Sequence, residues 1–218
     1  MTQIDSERQS SSHASLRTWL FNPFYYVAGG HALAVGLILI FLACAIGSFS
    51  QTHFDGVLDV HTRGRVPFWV FLTEGIIDWI VMGVLLMIGG GIISKSRIRA
   101  VDVLGTQALA RGPSVITALF ALLPSNQRYA RYFTDQLLHR TTQTVHLQAA
   151  DPVIAWISML VVILMTIWMV LLMYRACAVS CNVKGGKAIG VFIAALFLGE
   201  VVSKYLITWM LFAIHGLF

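Results

Sequence analysis

The feature that most constrains this chain is an apolar run from Pro67 to Ile93, interrupted by only two charged residues, Glu74 and Asp78. A helix rises about 1.5 Å per residue, so this run can cross a hydrocarbon core of about 30 Å with some tilt. The run therefore predicts a membrane-spanning helix. Composition excludes an ordinary soluble domain, because the 218 residues are 57% hydrophobic and 11% charged, whereas soluble domains carry roughly 25% charged residues.

Four further stretches share this apolar character, and together they predict the organisation of the chain. The sequence indicates an all-α polytopic membrane bundle with five transmembrane helices, at about residues 27–49, 67–93, 104–124, 153–174 and 188–212. Residues 1–15 are rich in serine, glutamine and charge, which is typical of a disordered polar tail. Residues 16–26 hold tryptophan and tyrosine, which favour the headgroup level and predict an interfacial segment. Residues 27–218 are expected to form a single membrane domain.

The third span is predicted to be broken, because Gly112 and Pro113 lie inside it. Proline removes one backbone hydrogen bond and clashes with the preceding turn, which interrupts a helix. We therefore expect the segment 95–110 to lie along the cytoplasmic face and the buried half to start at Pro113. The polar connection 125–150 spaces its aromatic residues near a helical period, which predicts a short helix lying in the interface.

Lysine and arginine are distributed unevenly between the two sides of the predicted membrane. With five spans, nine lie on the side of the N-terminal tail and the second and fourth loops, and five lie on the other side. Because cytoplasmic loops carry the excess of basic residues, the N-terminus is predicted to be cytoplasmic and the C-terminus outside. The second loop, with Lys95, Arg97 and Arg99, is then a basic cytoplasmic loop. The net charge of +5 follows this asymmetry, so we expect no nucleic-acid partner.

Five charged residues lie within the predicted spans: Glu74, Asp78, Arg111, Glu200 and Lys204. Both acids of the second span are four residues apart, as are Glu200 and Lys204, so each pair shares a helix face. Charges at bilayer depth are costly and usually face a bundle interior or a cavity. We expect the second and fifth spans to be neighbours, with Lys204 near Asp78 or Glu74, Glu74 as the acid left over, and Arg111 a poorer match. The cluster is interpreted as structural ion pairs that fix helix register, with a proton or substrate path as the alternative.

The first polar connection contains four residues of metal-ligand type: His53, Asp55, Asp59 and His61. They lack a standard metal-ligand spacing, so a solvated polar loop without a metal is the interpretation that we favour over a metal site. Cys177 and Cys181 lie at the predicted cytoplasmic edge, where free thiols and acylation are both possible. The segment 184–187 lacks the frame of a phosphate-binding loop and is read as a turn. The sequence contains no catalytic or cofactor motif, which predicts a protein that is neither an enzyme nor cofactor-dependent.

Several degenerate motifs occur in an order that resembles the Yip family of multi-span membrane proteins, which interact with Ypt/Rab GTPases. The motifs are Asn22-Pro23-Phe24, Gly89-Gly90-Gly91 before a basic segment, Gly105 with Gly112-Pro113, and Lys184-Gly185-Gly186-Lys187. The resemblance implies a five-helix bundle with a cytoplasmic N-terminus and, in eukaryotic members, vesicle trafficking with small GTPases. The chain lacks an Asp-Leu-x-Gly-Pro element and looks more like bacterial-type members, for which no Rab partner is expected. This resemblance implies a bacterial inner (plasma) membrane protein.

Two functions remain open at this point. The first is a non-enzymatic scaffold or accessory subunit for other membrane proteins, or for a trafficking-like process, with membrane lipids, membrane proteins or further copies of the chain as partners. Small residues at helical spacing favour it, because they let another helix approach closely: Ala28, Ala32, Gly36, Ala43 and Gly47. The alternative is a small transporter or proton-coupled channel that uses the acids and the lysine of the second and fifth spans.

Overall fold

The computed structural model describes residues 16–62, 64–137 and 146–215, so the expected tail at 1–15 lies outside the described residues. The described part is an all-α bundle with one very short hairpin, which confirms the predicted fold class. In chain order the elements are α1 (Leu16–Phe21), a 3₁₀ turn (Pro23–Tyr25), α2 (Gly29–Ser50), β1 (Thr52–His53), β2 (His61–Thr62), α3 (Phe68–Ile93), α4 (Ala100–Ala110), α5 (Pro113–Ala121), α6 (Pro124–Leu137), α7 (Asp151–Ser180) and α8 (Gly185–His215).

Four helices are long and apolar enough to cross a membrane: α2, α3, α7 and α8. The stretch Ala100–Ala121 and α6 form a fifth candidate if they are counted as one span, and they are bent by 78° at their junction. The expected interruption is present, since α4 ends at Ala110 and α5 begins at Pro113. The sharper bend, however, lies at Leu122–Leu123, where α6 leaves the bundle axis and packs on α7.

Side-chain contacts give the direction of each helix. The α4–α5 segment runs parallel to α2, because Gly29 lies beside Asp102 and Gly112 lies beside Leu39. Helix α8 runs antiparallel to α3, because Gly89 lies beside Val191 and Met82 lies beside Gly199. The start of α2 and the segments 94–99 and 181–184 therefore share one end of the bundle, which we call the basic end. We call the opposite end, with the segment 51–67 and the end of α8, the hairpin end.

The position of α4 differs from the expectation. It does not lie along a surface but is buried between α2, α3 and α7. Gly105 contacts the backbone of Gly29 and Leu33, and the side chain of Gln107 donates a hydrogen bond to the carbonyl oxygen of Met173 at 3.0 Å. Small residues on both helices permit this close approach, so the small residues of α2 are used within the chain: Gly36 packs directly on Ala108.

Helix α6 is tied to the start of α7 by one ion pair. The Arg128 guanidinium donates from Nε to Asp151 Oδ2 at 2.9 Å and from Nη2 to Asp151 Oδ1 at 2.6 Å. The Asp151 side chain is fully buried, and Arg128 is 31% exposed. Both nitrogens lie on one edge of the guanidinium, which is the bidentate geometry that binds carboxylates most strongly.

Candidate functional site

The polar connection between α2 and α3 is not a solvated loop, which corrects the sequence-based prediction. Its ends pair as antiparallel strands, Thr52 with Thr62 and His53 with His61. The residues between them, 54–60, turn back into the bundle, and we call them the hairpin tip. Val57 is 1% exposed and contacts Gly199 of α8 next to the side chain of Met82.

The hairpin tip reaches about half-way along the bundle. Met82 lies roughly 21 Å from the first residue of α3 at about 1.5 Å per residue, close to the middle of that helix. Gly199 is likewise close to the middle of α8. Irregular backbone is tolerated at membrane depth only where it is buried in protein or lines a cavity. The hairpin tip meets this condition, because it packs among helices and lines a cavity.

The base of the hairpin is held by a buried pair between His53 and Glu74. The Nδ1 atom of His53 lies 3.0 Å from each carboxylate oxygen of Glu74, and both side chains are at most 1% exposed. The imidazole also stacks on the ring of Phe71, with 4.3 Å between ring centroids. Glu74 is therefore not the acid left over in the cluster, because a residue from the hairpin pairs with it.

The hairpin tip is held by α8. The backbone N–H of Leu58 donates to Glu200 Oε2 at 2.9 Å, and Gly56 lies so close to this carboxylate that a side chain there would collide with it. The Lys204 ammonium lies 2.7 Å from Asp59 Oδ2 and 3.2 Å from Glu200 Oε1. The predicted neighbours α3 and α8 are confirmed. The partner expected for Lys204 was wrong, since the hairpin supplies Asp59 in place of Asp78 or Glu74.

Asp78 and Arg111 are the two deeply buried charges that lack direct partners among the residues the structure describes. Asp78 is 0% exposed and Arg111 is 6% exposed. Neither carboxylate oxygen of Asp78 has a hydrogen-bond partner, and neither do Nε and Nη2 of Arg111. Ser203 lies beside Asp78 without hydrogen-bond geometry, and the two charges are electrostatic neighbours. Arg111, which we expected to be a poor match for the acids, is therefore the cation that compensates Asp78.

A cavity connects the hairpin tip with Arg111. Its empty volume is about 490 Å³, including the space at its open end. The part of it that water can fill is about 30 Å³, which is room for roughly two or three waters. The walls are mostly apolar and include Phe54, Val57 and Asp59 of the hairpin tip and Cys44, Arg111 and Met169 of the bundle. The site thus combines an apolar chamber, one guanidinium and a charged rim.

Three of the four metal-type residues come together. Suitable ligand atoms of Asp55, Asp59 and His61 lie within 4.8 Å of one another, and His61 Nδ1 is 3.2 Å from Asp55 Oδ1. His53 is directed to Glu74 instead. Because the Lys204 ammonium already binds Asp59, a cation at this cluster would compete with an existing ion pair. These residues therefore form part of the charged rim of the cavity.

The remaining candidate residues lie at the basic end. Lys95, Arg97 and Arg99 are exposed there, as expected of a basic loop. Cys177 and Cys181 are both free thiols with 0% exposure. The Cys181 thiol faces the carbonyl oxygen of Leu86 at 3.7 Å. Since a thiol must be accessible to be acylated, this burial favours a packing role for both cysteines.

Comparisons with known proteins give no relative: no family model, no curated protein and no solved structure matches the chain. The resemblance to the Yip family therefore stays a prediction, and the function is argued from the geometry of the site.

Proposed function

We propose that the chain is a small transport protein that provides a pathway for an ion or small solute through the membrane, working without enzymatic chemistry. The observation that carries this proposal is the hairpin tip, which brings irregular backbone and the Asp59–Lys204–Glu200 ion-pair network to the middle of the bundle. Transporters and channels place such backbone at membrane depth where it lines a binding site or a pathway.

The buried charges support the same function. Ionisable residues inside a membrane are expensive, and they usually mark ion or substrate pathways. Asp78 and Arg111 leave hydrogen-bonding atoms unsatisfied, and Arg111 lines the cavity. A purely structural ion pair would be expected to saturate these atoms directly, since the desolvation cost is otherwise uncompensated.

One observation that favoured a scaffold no longer does so. The small residues of α2 that suggested a partner helix pack within the chain, Gly36 on Ala108 and Gly47 beside Thr52 and Phe54. They therefore no longer require a second protein.

In this proposal the contact between Asp59 and Lys204 is the gate at the cavity rim. The two side chains are 34% and 46% exposed at the surface of the bundle, so neither is locked in place by packing. An ion pair with this freedom can open and close during transport. The Leu58–Glu200 hydrogen bond anchors the neighbouring backbone, which keeps the hairpin tip in place while the rim opens.

Proteoliposomes test the proposal. The full chain is reconstituted on a solid-supported membrane, and charge movement is recorded after jumps in pH, sodium chloride or sodium acetate. A pH-sensitive dye inside the vesicles detects electroneutral, proton-coupled movement. We expect a protein-dependent signal that Asp78→Asn abolishes and that Asp135→Asn, a matched change on α6, retains. The pathway is refuted if every jump gives the signal of empty vesicles although the protein melts cooperatively and is therefore folded.

A further inference from the structure

The strongest unexplained feature of the cavity is the free edge of the Arg111 guanidinium. Its Nε and Nη2 atoms lack a hydrogen-bond partner although the side chain is only 6% exposed. Arg111 lines the cavity, and its Nε and Nη2 atoms are themselves fully buried, so a molecule in the chamber reaches this edge once neighbouring side chains shift. A buried donor without an acceptor costs free energy, and a ligand that supplies acceptors would recover that cost.

The same protein shows what such an edge binds. Arg128 uses Nε and Nη2 to hold the two oxygens of the Asp151 carboxylate, at 2.9 and 2.6 Å. A planar group with two oxygens matches the fork of two parallel N–H groups. The free edge of Arg111 is chemically identical, and it therefore selects a carboxylate over a spherical anion.

The walls of the chamber determine which group can be attached to the carboxylate. Its walls near Arg111 are apolar, with Ile40, Met165 and Met169 among them. A second cavity shares Leu58, Asp59, Val60 and Thr166 with the first and continues past the apolar side chains of α7. It is an open groove, with an empty volume of about 590 Å³ that includes space outside the protein. An aliphatic chain attached to the carboxylate can extend in this direction.

We propose that Arg111 binds the carboxylate of a short aliphatic monocarboxylate, with the hydrocarbon chain directed past the hairpin tip towards α7. This inference rests on the proposed pathway and names its solute. Asp78 compensates the charge of Arg111 in the empty site, and a bound carboxylate adds a second negative charge next to it. Glu200 and Asp55 also act on Asp78 electrostatically, so several acidic residues around the site oppose the binding of an anion.

The test is a titration of the purified full chain in detergent with sodium acetate, propionate, butyrate and pentanoate, by calorimetry and by thermal shift. Sodium chloride and sodium phosphate at equal ionic strength serve as the reference anions. We expect carboxylate binding that tightens about fourfold per methylene group, as burial of apolar surface predicts. Saturable binding of phosphate without binding of any carboxylate would overturn the assignment.

Variants locate the site. Arg111→Gln should weaken propionate binding by at least about tenfold, since two charge-assisted hydrogen bonds are lost. Arg111→Lys keeps the charge without the fork and should weaken binding by a smaller factor. Arg131→Gln, at an exposed arginine of α6, is the matched control and should leave the affinity unchanged. Asp78→Asn removes the opposing negative charge and should tighten binding. Equal affinity in the wild type, Arg111→Gln and Arg111→Lys would also overturn the proposal.

The two proposals fail separately. Carboxylate binding at Arg111 without any flux in proteoliposomes would leave the ligand assignment standing and refute the pathway. A flux that Asp78→Asn abolishes, together with no carboxylate binding, would leave the pathway standing and refute the ligand.

Discussion

Replacing His53 by alanine should destabilise the whole bundle, although this residue lies in a connection between helices. The change removes the Nδ1 atom that lies 3.0 Å from both oxygens of Glu74. It also removes the ring that stacks on Phe71. Glu74 is 0% exposed, so water cannot replace the lost partner without opening the base of the hairpin.

The expected magnitude follows from these contacts. Leaving a buried polar group without its hydrogen-bond partner costs about 1–3 kcal/mol, because its desolvation is no longer compensated. For a chain of this length, 1 kcal/mol corresponds to about 2–4 °C in melting temperature, so His53→Ala should lower it by roughly 2–12 °C. Glu74→Gln added to His53→Ala removes the unpaired carboxyl group and should restore part of the loss.

Thermal unfolding in detergent, followed by tryptophan fluorescence, measures these shifts. His31→Ala is the matched control, since His31 is exposed on α2. A double-mutant cycle over His53 and Glu74 should give a coupling of about 0.5–3 kcal/mol. If His53→Ala melts at the temperature of His31→Ala, or if the two changes of the cycle are additive, the pair does not hold the hairpin.

Three further predictions address the bundle and its ends. Gly36→Leu should unfold or separate α2 from α4, because a side chain there meets the backbone of the facing helix, whereas Gly30→Leu has open space and should be tolerated in a detergent melt. Arg128→Gln should lower the melting temperature more than Arg131→Gln, because it leaves a buried carboxylate without its cation, and equal melts would contradict this. A topology reporter in the segment 94–99 should report the cytoplasm and one fused after the last residue the outside, and two reports from the same side would refute the orientation.

The membrane helices could be predicted from the sequence because length and hydropathy act locally. A run such as 67–93 needs no partner to be recognised as a span, and Pro113 interrupts a helix wherever it occurs. The contact between α3 and α8 was predicted from charge and is present. The pairing behind that prediction was wrong, because Lys204 binds Asp59 of the hairpin and not an acid of α3.

The hairpin was not predictable by the same reasoning, because its burial depends on partners that are distant in the sequence. The local composition of a stretch with His53, Asp55 and Asp59 predicts a solvated segment. It becomes buried because Glu74 and Glu200 supply the matching groups, 21 and 142 residues away from His53 and Leu58. One feature of the sequence did point to a missing partner. The two acids of α3 outnumber the single lysine of the fifth span, so these charges do not balance.

Helix α4 was misplaced for a related reason. The basic residues just before it suggested a segment at the membrane surface, but its own small residues, such as Gly105, fit against α2. Close packing of small residues is a property of two helices together, and hydropathy of one segment does not report it.

The docked hairpin has a consequence for biogenesis. The tip is synthesised roughly 140 residues ahead of Glu200, which anchors it, so it leaves the ribosome long before α8 enters the membrane. During that interval the tip has no α8 to pack against. Docking then becomes the step that completes the assembly, after the last helix has inserted. Nascent chains that end at Ser180 should accordingly leave Val57→Cys open to an impermeant thiol reagent, and full-length chains should protect it, because Val57 is 1% exposed there.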